Sequence, residues 1–247
     1  MATGLLMKNF IQSFETLKTC QKEITLELKQ YNFFNELSIN YSNINFITSF
    51  KKNFFTILML SLIHESGISK TRAISYGKII IALRQIVTSV DNILDNEKKG
   101  SIFINSLNNP LVENSFISLV FQDLLTKEIL KLSPTNTKVN IVLLEDIYSI
   151  AKGESIRKRE LYKEYPSSKF ILENIHSEIG GKLFEISLTI PKLVENNPKI
   201  TAFSDGLFTI GMSLQALDDF FDIFVGGNLV ISYFVEQIVP MSYAEVA

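Results

Sequence analysis

Residues 215–222 read Gln-Ala-Leu-Asp-Asp-Phe-Phe-Asp, a set of carboxylates inside an otherwise apolar stretch. Residues four apart on a helix project from one face, so Asp218 and Asp222 would lie side by side with Asp219 next to them. Two carboxylates one turn apart repel each other unless a cation lies between them. The segment therefore predicts a helix that binds a hard divalent cation.

A second acidic segment has the same spacing. Residues 91–97 read Asp-Asn-Ile-Leu-Asp-Asn-Glu, which places Asp91 and Asp95 four residues apart. Both segments follow apolar helical stretches, and a solvated helix face is not normally framed in this way. Mg²⁺ typically binds through one or two carboxylates together with the phosphate oxygens of a substrate. Two such helices facing each other would hold a metal cluster with a diphosphate between them.

Two other interpretations of the acidic segments stay open. Each segment would be a solvated helix end if it bound nothing. A dinuclear carboxylate bundle usually needs Glu-x-x-His pairs, and neither His64 nor His176 belongs to one. We assign the two histidines no role and interpret Cys20 as a packing residue.

Composition and charge limit the class of protein. The 247 residues are 46% hydrophobic, which excludes a disordered chain and predicts one globular domain over residues 1–247. With 24 Lys and Arg against 26 Asp and Glu, no general attraction for nucleic acid is expected. The longest uncharged apolar runs, residues 54–63 and 223–235, are too short to span a membrane. We expect a cytoplasmic protein without a transmembrane segment.

The spacing of apolar residues predicts an all-α fold. Apolar side chains recur every three or four residues, and the alternation typical of strands is scarce. Prolines punctuate the later segments, and we expect Pro191 and Pro198 to lie in breaks between helices. The predicted helices are 4–30, 46–65, 69–96, 110–131, 137–152, 166–188 and 201–224.

These motifs resemble those of the class I isoprenoid synthases, the trans-prenyltransferases and their terpene-synthase relatives. Residues 91–95 resemble the family's DDxxD motif, with Asn92 in place of an aspartate, and residues 215–222 match its QxxDDxxD motif in full. Residues 180–184, Gly-Gly-Lys-Leu-Phe, resemble the KTGxLF element. The resemblance implies a single-domain helical bundle around a central cavity, and a homodimer.

The resemblance also implies a site and a chemistry. Asp91, Asp95, Asp218 and Asp222 would hold several Mg²⁺ ions, and Asp219 would join them as a catalytic residue. The substrate would be an allylic prenyl diphosphate, which departs as a diphosphate ion and leaves a prenyl cation. The candidate substrate-binding residues are Gln215, Arg84, Lys51, Lys52, Lys98, Lys99, Arg157, Lys182, Phe184 and Phe221.

Three functions follow from the resemblance. The intact second motif favours a prenyltransferase that joins the prenyl cation to an acceptor. Departures from the family's isopentenyl-binding residues, at Phe54 and Ile179, favour a terpene cyclase acting on farnesyl or geranylgeranyl diphosphate, or a transferase with another acceptor. A non-catalytic subunit of a prenyl synthase is the third, and the retained aspartates weigh against it. We prefer the prenyltransferase.

Overall fold

The computed structural model describes residues 2–39, 46–95, 102–135, 138–157, 161–164 and 166–226, with side chains at 8–39, 53–94, 102–135, 138–157, 161–164 and 166–219. This part of the chain is nearly all helix, which confirms the all-α class. It forms two compact units. The first holds the chain up to Val139 with Leu193–Ile200, and the second holds Asn140–Lys192 with the chain from Thr201 onward. A single domain stays a prediction.

The first unit is built on four long helices, α1 (Ala2–Leu28), α2 (Phe46–Glu65), α3 (Lys70–Asp95) and α4 (Pro110–Leu132). α1 packs against α2 and α3, and α3 packs along α4. Leu17, Ile57 and Leu60 form an aliphatic cluster where α1 meets α2. Burial of each such side chain contributes about 1.5–3 kcal/mol to folding.

Local signals set the ends of these helices. Gly67 has a φ of +80°, a left-handed conformation that terminates α2 at little cost because glycine has no Cβ. Asn109 caps α4, since its side-chain oxygen accepts from the backbone nitrogens of Leu111 at 3.0 Å and Val112 at 3.4 Å. Pro110 occupies the first position of α4, where its missing N–H costs nothing.

A two-stranded antiparallel ribbon accompanies α4. Strand β1 (Leu37–Ile39) pairs with β2 (Ile102–Ile104), and Ser38 lies opposite Phe103. The backbone nitrogen of Ile104 donates to Glu113 Oε1 at 2.8 Å, which ties the ribbon to the first turn of α4. The ribbon is absent from the sequence-based prediction because three-residue strands are too short to show a period of two.

A buried charged cluster joins α1, α3 and α4. Lys78 is 4% exposed, and its Nζ lies 2.6 Å from both Glu27 Oε1 and Glu128 Oε1. Burial alone would lower the pKa of Lys78, but the two carboxylates outweigh it and raise that pKa. Burial would likewise raise the pKa of Glu128, and hydrogen bonds from Lys131 and Lys78 lower it instead. Because an unpaired charge here would be costly, the cluster fixes how the three helices align.

The second unit contains α6 (Ser168–Ile171), a π-helical segment (Leu172–Gly181) and most of α5 (Lys138–Ile156), α7 (Lys182–Glu195) and α8 (Pro198–Gly226). α6, the π-helical segment and α7 follow one another without interruption and form one long helix. Ser167 caps it, accepting from the backbone nitrogen of Phe170 at 3.2 Å. Ile171, Ile175 and Ile179 form a buried cluster along its first half.

Several predicted helix boundaries differ from the structure by a few residues, and the largest error is at Pro191. The helix expected at 166–188 continues to Glu195, and Pro191 lies inside α7 rather than in a break. A proline inside a helix removes a backbone hydrogen bond and costs about 3 kcal/mol. Burial of the surrounding residues, among them Leu188 and Ile190, offsets that cost. The prediction for 46–65 is confirmed residue for residue, and Pro198 opens α8.

Within the described residues, one helix is long and apolar enough to cross a membrane by length and composition. It covers Lys70–Leu94 with a mean hydropathy of 1.2, and half of it is buried inside the protein. The core helix of a globular protein passes the same test, and this helix packs against α1, α2 and α4. It is therefore weak support for a membrane span.

Candidate functional site

The first acidic motif lies at the C-terminal end of α3. Asp91 is exposed, whereas Asn92 is 2% exposed and points into the first unit. Asn92 Nδ2 donates to Asn114 Oδ1 at 3.0 Å, and Asn114 Nδ2 donates to the carbonyl of Pro110 at 2.9 Å. Asp95 is the last residue of α3, and its side chain is outside the described residues. The motif thus presents Asp91 to solvent and uses Asn92 to join α3 to α4.

Arg84 lies on α3 two turns before Asp91 and is exposed. Its pKa is lowered by desolvation, yet an arginine stays charged at any physiological pH. Seven residues apart on one helix, Arg84 and Asp91 lie on nearly the same face. Diphosphate binding by Arg84 stays a prediction.

The second motif lies on α8. Asp218 is exposed, while Asp219 is half-buried and accepts two hydrogen bonds. Gln215 Nε2 donates to Asp219 Oδ1 at 3.0 Å, and His176 Nε2 lies 2.8 Å from Asp219 Oδ2. Arg157 Nη2 is 4.0 Å from Asp219 Oδ1. Gln215, Asp219 and Arg157, all predicted as site residues, therefore lie together in the second unit.

Glycines allow the π-helical segment to contact its neighbours at backbone distance. A Cβ on Gly180 would overlap the carbonyl oxygen of Gly211 on α8, and a Cβ on Gly211 would overlap the carbonyl oxygen of Gly180. A Cβ on Gly153, on α5, would lie 2.8 Å from Glu178 Cβ. The glycines at 180 and 211 are thus required by close packing. The structure has a π-helical segment at Gly180, a form often found at functional sites.

Lys182 is held by acidic neighbours within the second unit. Its Nζ lies 2.9 Å from Glu185 Oε2 and 3.2 Å from Asp146 Oδ1. Burial alone would lower the pKa of Lys182, but these carboxylates outweigh it and raise that pKa. Asp146 also accepts from Thr189 Oγ1 at 2.5 Å. This network joins α5 to α7, which gives Lys182 a structural role; a contact with substrate stays a prediction.

The other predicted site residues are described in part or not at all. A Cβ on Gly211 would lie 3.0 Å from Phe184 Cβ, so Phe184 packs against α8. The backbone of four predicted residues is helical, and their side chains are outside the described residues: Lys51, Lys52, Phe221 and Asp222. Lys98 and Lys99 lie outside the described residues altogether.

Sequence reasoning missed His176, to which it assigned no role. His176 is 1% exposed and contacts Asp219 of the second motif. Buried polar groups in native proteins nearly always have a hydrogen-bond partner. A histidine four residues before a Gly-Gly pair, in a helix with buried isoleucines, is the signal that could have identified it.

The residues present suit Mg²⁺ by their chemistry. The predicted ligands are all carboxylates, and hard cations of this kind prefer oxygen. Among the side chains that the structure describes, no group of three or more acidic, His or Cys residues is arranged to hold a metal ion. Asp91 and Asp218 are exposed, whereas both oxygens of Asp219 accept hydrogen bonds from protein side chains. A complete ligand set would therefore also need the side chains of Asp95 and Asp222.

Comparisons by sequence and by structure give different results. No family model matches the chain, and no curated protein matches it by sequence. A geranylgeranyl pyrophosphate synthetase from the archaeon Geoglobus acetivorans is similar in structure, with a TM-score of 0.61 and 16% identity over 91% of this chain and 76% of that one. A geranyltranstransferase from Thermotoga maritima has a TM-score of 0.59 and 14% identity over 95% of this chain and 89% of that one.

At this level of identity the similarity establishes architecture alone. Both similar proteins are prenyl-transferring synthases by name, and each is covered over most of its length. The resemblance stated from the two acidic motifs is confirmed at the level of fold. The chain has the all-α fold of the trans-prenyltransferases, that of the class I isoprenoid synthases.

Proposed function

We propose that this protein is a Mg²⁺-dependent class I isoprenoid enzyme, which ionises an allylic prenyl diphosphate and transfers the prenyl group to an acceptor. The observation that carries the proposal is the second motif, complete in sequence, on a helix of a trans-prenyltransferase fold. Asp91 and Asp218 are exposed, which supports the proposal that each offers a carboxylate oxygen to a metal. Isopentenyl diphosphate is the acceptor that the experiment below tests.

The residues of this chain have separate tasks in the proposed reaction. Asp91, Asp95, Asp218 and Asp222 would hold Mg²⁺. Bound Mg²⁺ would supply Lewis-acid chemistry, neutralising negative charge on the departing diphosphate. The carbon–oxygen bond of the substrate breaks, both electrons leave with the diphosphate, and the acceptor's double bond supplies the electrons of the new carbon–carbon bond. The cation left on the acceptor then loses a proton to the departed diphosphate, which restores a double bond.

Arg157 is the described cation best placed to help. Its side chain is 42% exposed, and it lies 3.6 Å from Glu154 and 4.0 Å from Asp219. An exposed arginine beside the second motif can turn toward phosphate oxygens, which guanidinium groups bind in pairs. The predictions of a cytoplasmic location and a homodimer accompany this proposal.

The test measures diphosphate release by the purified chain. Geranyl, farnesyl and geranylgeranyl diphosphates are supplied with Mg²⁺ or with a chelator, each with and without isopentenyl diphosphate. We expect metal-dependent release and a longer linear diphosphate when isopentenyl diphosphate is present. Asp218→Asn should lower the rate roughly 100-fold, because it removes a negative ligand of the metal.

Asp205→Asn is the matched control. Asp205 lies on the same helix, and its side chain is 71% exposed, 3.8 Å from Lys192. The rate should be unchanged. If a cyclic product formed in the absence of isopentenyl diphosphate, the protein would be a terpene cyclase and not a prenyltransferase. No release from any substrate by the folded, metal-loaded chain would contradict the proposal and favour the partner-dependent subunit.

A further inference from the structure

His176 and Asp219 connect the π-helical segment to the second motif. His176 is 1% exposed, and the side chain of Asp219 is 18% exposed. An ionised carboxylate only accepts hydrogen bonds, so in this pair His176 Nε2 donates to Asp219 Oδ2 across 2.8 Å. Gln215 donates to the other oxygen at 3.0 Å. Both oxygens of Asp219 are therefore engaged from within the second unit.

We propose that His176 is a positioning residue for the metal site. It holds Asp219 against the π-helical segment and so fixes the rotation of α8 that presents Asp218 and Asp222 to Mg²⁺. This inference rests on the proposed function. It changes the role of Asp219 from the catalytic one predicted from the sequence to a positioning one.

The helical geometry of the motif supports this division of roles. Gln215 and Asp219 are four residues apart and share one face of α8, which is the face that contacts the π-helical segment. Asp218 lies about 100° from Asp219 around the helix axis, because each residue turns the helix by that angle. A rotation of α8 that moved Asp219 would move Asp218 by the same angle. The position of Asp219 therefore determines the direction of the Asp218 carboxylate.

The packing around the pair leaves α8 little freedom to turn. The two helices run antiparallel, and their contacts repeat about once per turn, from His176 opposite Asp219 to Gly180 opposite Gln215 and Gly211. A Cβ on Gly180 would lie 2.6 Å from Gln215 Cβ. Backbone against backbone at Gly180 prevents the helices from sliding past each other there, about two turns of α8 before Asp219. The hydrogen bond from His176 then sets the register at the motif end of α8.

The test measures binding of inorganic pyrophosphate with MgCl₂ by calorimetry. His176→Leu removes the donor, and His176→Gln retains a side-chain nitrogen near the position of Nε2. We expect roughly tenfold weaker binding in His176→Leu, the loss typical for groups that orient metal ligands, and substantial recovery in His176→Gln. In an Asp219→Ala background, His176→Leu should have little further effect, because the two residues act as one unit.

His64→Leu is the matched control. His64 is also buried, at 9% exposed, and its Nε2 lies 3.0 Å from Thr16 Oγ1 in the first unit. The His64→Leu substitution should lower the thermal stability of the protein without changing its affinity for pyrophosphate. If His176→Leu lowered thermal stability but bound pyrophosphate with the wild-type affinity, the positioning role would be overturned.

Two further outcomes separate this inference from the function beneath it. If the wild-type chain binds no pyrophosphate with Mg²⁺, the proposed function fails and the positioning role fails with it. If the wild type binds pyrophosphate with Mg²⁺ but His176→Leu does not fold, the Asp219→Asn variant tests the positioning role instead. An amide at 219 has one acceptor oxygen for two donors, so we expect a similar loss of affinity; unchanged affinity would overturn the inference alone.

Discussion

The side-chain amide of Asn92 donates to Asn114 Oδ1 across 3.0 Å, and the two residues are 2% and 4% exposed. Asn114 in turn donates to the carbonyl of Pro110, so it faces Asn92 with its oxygen. Only a donor at position 92 satisfies that oxygen. The amide in the middle of the first motif is therefore explained by packing between α3 and α4.

Replacement of Asn92 by aspartate should destabilise the protein. The Asn92→Asp carboxylate would face Asn114 Oδ1 with no donor between them, and a flip of Asn114 would break its bond to Pro110. An unsatisfied buried polar group costs about 1–3 kcal/mol. Urea denaturation at pH 7 measures the loss. Because the side chain at position 92 points inward, the added carboxylate should not strengthen Mg²⁺ binding.

Asn108→Asp is the control for charge. Asn108 is exposed in the loop before α4, so the substitution should change the free energy of unfolding by less than about 0.5 kcal/mol. Equal stability of the two variants would mean that the Asn92 side chain is not held by Asn114.

Two glycines on α8 should respond in opposite directions to alanine. Gly211→Ala places a Cβ against the carbonyl oxygen of Gly180, and backbone cannot move aside as a flexible side chain can. A Cβ on Gly206 meets nothing within 4 Å. We expect Gly211→Ala to lose several kcal/mol of stability and Gly206→Ala to gain about 0.5–1 kcal/mol, the helix propensity difference.

Chemical denaturation of the two glycine variants checks this pair. Because Gly180 contacts Gly211 next to the His176–Asp219 bond, Gly211→Ala should also weaken binding of pyrophosphate with Mg²⁺. Gly206→Ala should leave it unchanged. Destabilisation by Gly206→Ala, or tolerance of Gly211→Ala, would contradict the close packing of α8 on the π-helical segment.

The sequence was sufficient to predict the fold class and the helical conformation of both acidic motifs. Apolar spacing predicted α2 to the residue because helix burial requires that period over many turns. The four-residue spacing of the acidic motifs predicted that both lie on helices, and the backbone is helical at both motifs, with Asp91 and Asp218 exposed. Both features depend only on neighbours within one helix.

The roles of the inward-facing residues were not predictable in this way. Asn92 bonds to Asn114, Asp219 to His176, and Lys182 to Asp146, and in each pair the partners lie on different helices. A motif gives the rotation of a residue about its own helix axis but not the neighbour that it meets. The prediction of a helix break at Pro191 failed for a related reason, because tertiary burial outweighed the local preference of proline to end a helix.

The charged cluster at Lys78 should make the first unit sensitive to acid. The pKa of Glu128 is lower in the folded protein than its ordinary value near 4.5, so its contribution to stability is present above that pH and lost as pH falls below it. Glu128→Gln should cost about 2–4 kcal/mol at pH 7, because Lys78 loses a buried partner. The difference from wild type should narrow below about pH 4.

Glu173→Gln is the matched control for this prediction. Glu173 also pairs with a lysine one turn away, Lys169, but the two side chains are 59% and 80% exposed and 3.8 Å apart. Exposed pairs of this kind contribute less than about 0.5 kcal/mol. Denaturation curves from pH 3 to pH 8 would contradict the role of the cluster if both variants lost the same stability at pH 7.

Cys20 should be inert in the folded protein. It is fully buried, its Sγ donates to the carbonyl of Ile74 at 3.3 Å, and burial, with a smaller contribution from Glu23, raises the pKa of its thiol to about 12. At pH 8 about one molecule in 10,000 would carry the reactive thiolate. Ellman's reagent should therefore label the native protein only through opening of the first unit, and urea should speed the reaction.

A cysteine placed at an exposed position provides the comparison. Ser155 is exposed on α5, so Ser155→Cys in a Cys20→Ser background should react within seconds at pH 8. A Cβ on Gly77 would lie only 2.6 Å from Sγ of Cys20, so Cys20 on α1 packs tightly against α3. The ratio of the two rates therefore reports how rarely α1 separates from α3. Comparable rates for the two cysteines would mean that α1 detaches readily, which the tight packing of Cys20 against Gly77 contradicts.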